Sequence, residues 1–173
     1  MMTSSHAPAR QSRTVTDSPL GPLTLVADNG ALAGLYMNGR GPDAADADAV
    51  SGADAAVLAE AARQLAEYFD GRRQVFDLPL ALAGTAFQRR VWDTLRGIGY
   101  GETASYGEIA GQIGQPTAAR AVGLANGRNP VSIIVPCHRV VGSDGSLTGY
   151  GGGLDNKQHL LEMERRFSRA AAG

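Results

Sequence analysis

The stretch Val131-Ser132-Ile133-Ile134-Val135-Pro136-Cys137-His138-Arg139-Val140-Val141 constrains this chain more than any other. Its apolar, β-branched residues favour an extended buried segment, and Pro136 ends the run. A thiol, an imidazole and a guanidinium follow at once. The pattern predicts a strand that presents a potential nucleophile, with a base and a cation beside it. A lone cysteine is usually a small buried hydrophobe, but here its neighbours favour chemistry. Adjacent side chains on a strand point to opposite faces. Contact between Cys137 and His138 therefore needs a sharp bend or a bridging water.

Cys137 is the only cysteine in 173 residues, which excludes an internal disulfide and fits a reducing, cytoplasmic setting. One thiol with the spread histidines His6, His138 and His159 makes no zinc site, so no metal is expected. No apolar stretch is long enough to span a bilayer, and residues 1–12 read as a disordered tail without a signal core. The net charge of −1 argues at first against a nucleic-acid binder. The two halves differ, however. Residues 1–84 carry 6 basic and 10 acidic side chains, and residues 85–173 carry 10 basic and 7 acidic ones. An anionic partner belongs on the second half.

Residues 13–80 read as an antiparallel meander with one helix. The predicted strands are Arg13–Asp17, Leu23–Ala27 and Leu32–Met37, with turns at Ser18–Gly21 and Asp28–Gly30. Residues 38–54 read as a loop. Val57, Leu58, Ala61, Ala62, Leu65 and Phe69 follow a helical period that Gly71 stops. Gln74–Leu78 is a predicted further strand, and residues 81–84 close the linker that starts at Pro79. Residues 85–173 form the second predicted domain. Thr85-x-x-Gln88 and Ser105-x-x-Glu108 are capping boxes for two helices. Gln115-Pro116 connects the second of these tightly to a helix over Thr117–Ala125, a helix-turn-helix pattern. Asp144-Gly145 is a hairpin signal within a glycine-rich loop or wing at 142–153. A last helix runs from about Asp155 to Phe167. The fold class expected is α+β: a small sheet with a helix, then a mainly helical, winged-helix-like unit.

Two helices carry unusual residues. Glu164 shares a face with Leu160, Leu161 and Phe167, where a carboxylate needs a partner. It is the candidate for orienting His138, giving a relay of Cys137, water, His138 and Glu164. Thr117–Ala125 is built of small residues around one long cation, Arg120. Gly123 within it costs about 1 kcal/mol against alanine. Thr117, Ala121 and Gly123 would let the backbone dock closely into a nucleic-acid groove.

The combination of Arg120-Ala121-Val122-Gly123, Asn129-Pro130, Pro136–Arg139 and Tyr150-Gly151-Gly152-Gly153 resembles the O6-alkylguanine-DNA alkyltransferases. The likeness spans about Thr85 to Glu164. It implies that Cys137 is the alkyl acceptor, activated through His138 and Glu164. Asn129 would tie the helix-turn-helix to the active-site segment, and Tyr106 would assist protonation of the departing guanine and crowd the target phosphate. Arg120 would fill the gap left by a base flipped into a pocket, with the recognition helix in the minor groove. Pro136, Val140, Tyr150 and Gly151 would shape that pocket. Glycine at 151 removes a hydroxyl that some relatives carry as serine. Arg89, Arg90, Arg128, Arg139 and Lys157 are the candidate phosphate contacts.

The implied reaction is irreversible transfer of an alkyl group from O6-alkylguanine, and from O4-alkylthymine, in double-stranded DNA. The thioether product is not hydrolysed, so the protein acts once. No cofactor is expected. The expected form is a monomer, with cooperative binding along DNA left open. Two alternatives remain at this level: a Cys-His-Glu hydrolase, which would turn over, and a winged-helix regulator, which would not need Cys137.

Overall fold

The computed structural model describes residues 11–39, 41, 45–46 and 52–172. Strands β1 (Ser12–Thr16), β2 (Leu23–Asp28) and β3 (Ala31–Met37) form the predicted antiparallel meander. β4 (Ala45–Asp46) adds in parallel to β1, giving the order β3-β2-β1-β4. This pairing falls within the expected 38–54 loop, most of which lies outside the described residues. The expected tail does too, except for Gln11 and Ser12, the latter already in β1.

Helix α1 (Ala53–Phe69) covers the sheet with Val57, Leu58, Ala61, Leu65 and Tyr68 buried. Gly71 ends it for two reasons. Its φ is 76°, and a Cβ there would lie 2.6 Å from the Phe167 ring.

The predicted strand Gln74–Leu78 does not form. The Gln64 side chain takes the place of a strand partner. Its Nε2 donates to the Asp77 carbonyl and its Oε1 accepts the Asp77 N–H, each at 2.9 Å. The following linker is not loose. Pro79 and Ala81 hydrogen-bond the backbone of Leu32, so the chain is stitched to the outer edge of β3 as it leaves the first half.

Both capping boxes form as read, at the starts of α2 (Ala86–Leu95) and α3 (Tyr106–Gln112). Thr85 and Ser105 each accept a backbone N–H that the first helical turn would leave unpaired. The next helix, α4, spans Ala119–Gly127, so Gln115-Pro116 lies in a longer connection than expected. The last helix, α5, spans Leu154–Ala172.

The apolar run is not a strand. Only Val131 bridges to β3, beside Leu35, and the chain then turns back. Ile133 has φ 72°, a conformation that costs a β-branched residue about 1–3 kcal/mol. Its side chain is buried, which holds it there. Cys137–Arg139 form one 3₁₀ turn, and β6 (Val140–Val141) pairs in parallel with β5 (Ala104–Ser105). β-Propensity is overridden because β3 and β5 each accept only a short piece of this segment. The wing expectation also changes. Gly142 N–H closes a turn on the Ser146 carbonyl, but no hairpin strand follows among the described residues. A single apolar core runs from Leu23 to Met163, through both halves.

Candidate active site

The 3₁₀ turn supplies the bend that an extended segment could not. Cys137 is 4% exposed, and His138 and Glu164 are fully buried. Glu164 projects from α5, as its place on the apolar face predicted. Its Oε2 receives His138 Nε2 at 2.9 Å. Arg139 grips both oxygens, Nε to Oε1 at 2.8 Å and Nη2 to Oε2 at 2.9 Å. Tyr68 Oη, from α1, donates to Oε2 at 2.6 Å. Burial alone would raise the Glu164 carboxyl. The hydrogen bonds from His138 and Arg139 outweigh it and hold the group at about 2.

That ionised carboxylate fixes the histidine's tautomer. A carboxylate only accepts, so Nε2 carries the proton and Nδ1 keeps its lone pair. Burial pushes the His138 imidazole below its ordinary value, against the pull of Glu164, so the ring rests neutral. Its Nδ1 is buried and has no hydrogen-bond partner among the described residues.

Burial likewise raises the Cys137 thiol, while hydrogen bonds from Asn129 and Ser132 and the charge of Lys157 act against it. The segment is anchored to α4 through two asparagines. Asn129 Nδ2 donates to the Val135 carbonyl at 2.8 Å, and its Oδ1 accepts the Val131 N–H at 3.0 Å. Asn126 Nδ2 donates to the Cys137 carbonyl at 3.3 Å.

Cys137 opens on a cavity of about 530 Å³, the size of a small-molecule site. Leu35, Tyr36 and Met37 of β3 form one wall, the α4 exit Asn126–Pro130 another, and Gly149–Gly152 a third. Tyr150 and Gly151 are therefore among the residues that line the cavity. At Gly151 a Cβ would meet nothing within 4 Å, so a hydroxyl-bearing side chain would fit. Pro136 and Val140 do not line this cavity. Pro136 borders a separate cavity of about 170 Å³, and Val140 is fully buried.

Two expected phosphate contacts are also corrected. Arg139 is 6% exposed and held by Glu164 and by the Ile98 carbonyl at 2.7 Å. Lys157 is fully buried, its Nζ donating to the carbonyls of Val140 and Thr148 at 2.6 and 2.8 Å. Neither reaches a phosphate. Arg89, Arg90 and Arg128 are exposed and remain candidates.

On α4, Arg120, Ala121, Leu124, Gly127 and Arg128 form the exposed face, with Thr117 exposed just before it. Gly123 instead faces the Tyr106 ring, 3.7 Å from where a Cβ would sit, so its small size serves helix packing. Tyr106 is half-buried, accepts from Thr148 Oγ1 at 3.0 Å, and is not among the residues lining the cavity. Tyr68, Asn126 and Ser132 were missed by the sequence reading. Each reads as ordinary core or loop, and only folding reveals its partner.

Known proteins match about nine-tenths of the chain. The family model "6-O-methylguanine DNA methyltransferase, ribonuclease-like domain" matches residues 12–82, and the corresponding DNA binding domain matches residues 86–166. A methylated-DNA–protein-cysteine methyltransferase of Mycolicibacterium paratuberculosis is 55% identical, over 92% of this chain and 94% of its own. The crystal structure of Mycobacterium tuberculosis O6-methylguanine methyltransferase superposes with a TM-score of 0.79 at 49% identity, over 91% of this chain and 93% of that one. The Mycobacterium tuberculosis OGT in complex with DNA gives 0.78 at 50% identity, over 90% and 94%. With relatives this similar over nine-tenths of its length, the chain belongs to the methylated-DNA–protein-cysteine methyltransferase family, the O6-alkylguanine-DNA alkyltransferases.

Proposed function

We propose that this protein repairs O6-alkylguanine in duplex DNA by moving the alkyl group onto Cys137, once per molecule. What carries the assignment is the free lone pair of His138 Nδ1, fixed by Glu164 on the far side of the ring. Through a water molecule, Nδ1 takes the thiol proton. The thiolate attacks the alkyl carbon on O6, the C–O bond breaks, and a C–S bond forms. The departing guanine takes up the proton that His138 holds, so the ring returns to neutral and no charge accumulates. A thioether is not cleaved by water, and the thiol is not regenerated. O4-alkylthymine presents the same alkyl–oxygen bond and is the second substrate of this reading.

Residues 85–173 carry the thiol and the DNA-facing helix in this scheme, and residues 13–80 support them. Asn129 couples the two features through its bonds to Val131 and Val135. Tyr106 crowds the phosphate of the target nucleotide. A single cysteine suits a reducing compartment, and on this reading the protein works in the cytoplasm and as a monomer. A hydrolase is not favoured by the family, and a regulator would have no use for the buried relay.

The direct test is mass spectrometry after reaction with a methylated duplex. A gain of one methyl group on the Cys137 peptide, with one transfer per protein, is expected. Several transfers per molecule would mean a hydrolase-like mechanism.

Arg120 is exposed on α4 and is the long cation there that precedes the small residues. Its expected task is to hold the extruded state, which costs a few kcal/mol to reach. Arg120→Ala should slow repair within a duplex by roughly 10²-fold, while reaction with free O6-methylguanine base changes little. Rates on both substrates check this, and equal losses would move Arg120 into the chemistry.

A further inference from the structure

Tyr68 belongs to α1, in the first half of the chain, yet its hydroxyl ends on the carboxylate that holds His138. Glu164 Oε2 receives three donors: Tyr68 Oη at 2.6 Å, His138 Nε2 at 2.9 Å and Arg139 Nη2 at 2.9 Å. Tyr68 and Glu164 are both fully buried, so no solvent substitutes for this bond. The phenol must be the donor, because the ionised carboxylate has no proton to give. Packing does not require a hydroxyl here. The ring sits among Phe69, Phe76 and Tyr100, where a phenyl would serve equally.

We propose that Tyr68 is a positioning residue for the transfer reaction: its hydroxyl draws charge from Glu164 Oε2 and thereby sets the basicity of His138. This rests on the relay of Cys137, His138 and Glu164 described above. Donors on one oxygen compete for the same charge. The more Tyr68 takes, the less Glu164 stabilises an imidazolium. The carboxylate can then orient the ring without keeping it protonated. The other titratable or charged groups around this centre are Arg139 and Cys137 on the active-site turn, Tyr100 after α2, Tyr150 in the glycine-rich loop, and Lys157 on α5. Tyr68 is the member that the first half contributes.

The experiment is the pH dependence of methyl transfer from a methylated duplex to the full-length protein. Removing the hydroxyl with Tyr68→Phe strengthens the remaining bond to His138 and raises its basicity. The acid limb, below which His138 is protonated and cannot accept the thiol proton, should move up by ~0.5–1 pH unit. Tyr100→Phe is the control. The Tyr100 hydroxyl is buried with no hydrogen-bond partner among the described residues, so its loss should leave the limb in place. If Tyr68→Phe does not fold, 3-fluorotyrosine at position 68 keeps the shape and donates more strongly, and the limb should move down. An unmoved limb, or one that moves the other way, overturns the proposal, even if the melting temperature falls. Glu164→Gln separates the two levels. If it leaves the rate unchanged, the relay itself fails. If it slows transfer while the Tyr68→Phe limb stays put, only the role of Tyr68 fails.

Discussion

Cys137→Ser is expected to abolish alkyl transfer completely while leaving DNA affinity within about twofold of the parent, because the charge facing DNA is unchanged. The hydroxyl is far less ionised than a thiol, and its oxygen is a poorer nucleophile toward an alkyl carbon. The substitution also fits. Cys137 is 4% exposed, and serine is smaller than the residue it replaces. Its hydroxyl can use the bonds from Asn129 and Ser132 that the thiol uses now. Methyl transfer followed by mass, and affinity by titration with a methylated duplex, check both halves of the expectation. Stoichiometric methylation persisting in this variant would place the acceptor elsewhere.

Glu164→Gln should cause the second largest effect, on rate and stability together. The carboxylate accepts four hydrogen bonds from Tyr68, His138 and Arg139. A neutral amide turns an N–H toward one of those donors and leaves the Arg139 guanidinium without its counter-charge. Breaking such a buried pair costs about 3–5 kcal/mol. The expected drop in melting temperature is on the order of 10 °C for a chain of this size. Without the carboxylate the His138 ring loses its fixed tautomer, and transfer should slow roughly 10²–10⁴-fold. Combining it with His138→Ala should add little, since the two act as a unit. Additive losses would show that they do not share a relay. The pH dependence of stability has a definite sign. The folded carboxyl is depressed from 4.5 to about 2. Its contribution is therefore complete above the unfolded value and is lost as pH falls toward about 2. Glu164→Gln should erase that acid-limb dependence in a series of thermal melts.

Local rules made part of this molecule legible. Thr85 with Gln88 and Ser105 with Glu108 satisfy N–H groups three residues away, so both capping boxes could be read without knowing the fold. Glu164 was legible for a similar reason, since helical period alone puts it among apolar neighbours. What failed depends on distant partners. The run before Pro136 has strong β-propensity, yet the edge of β3 accepts only Val131. Gln74–Leu78 lost its strand to the side chain of Gln64, which no pattern of apolar residues encodes. Arg139 and Lys157 look like surface cations in the sequence. Their burial follows from acceptors 25 residues away at Glu164 and 9 and 17 away at Thr148 and Val140. Tyr68 meets its partner across 96 residues and reads as one more apolar position on α1.

The burial of the thiol also determines what the protein ignores. The thiolate is the reactive form of cysteine, and burial keeps Cys137 in its un-ionised state at rest. Small alkylating agents dissolved around the molecule meet a sulfur that is both shielded and unionised. On the proposed mechanism, reactivity arises where a base occupies the cavity that Cys137 lines and the proton has a path to His138. The one reaction each molecule can perform is, on that mechanism, thereby favoured at a lesion already made.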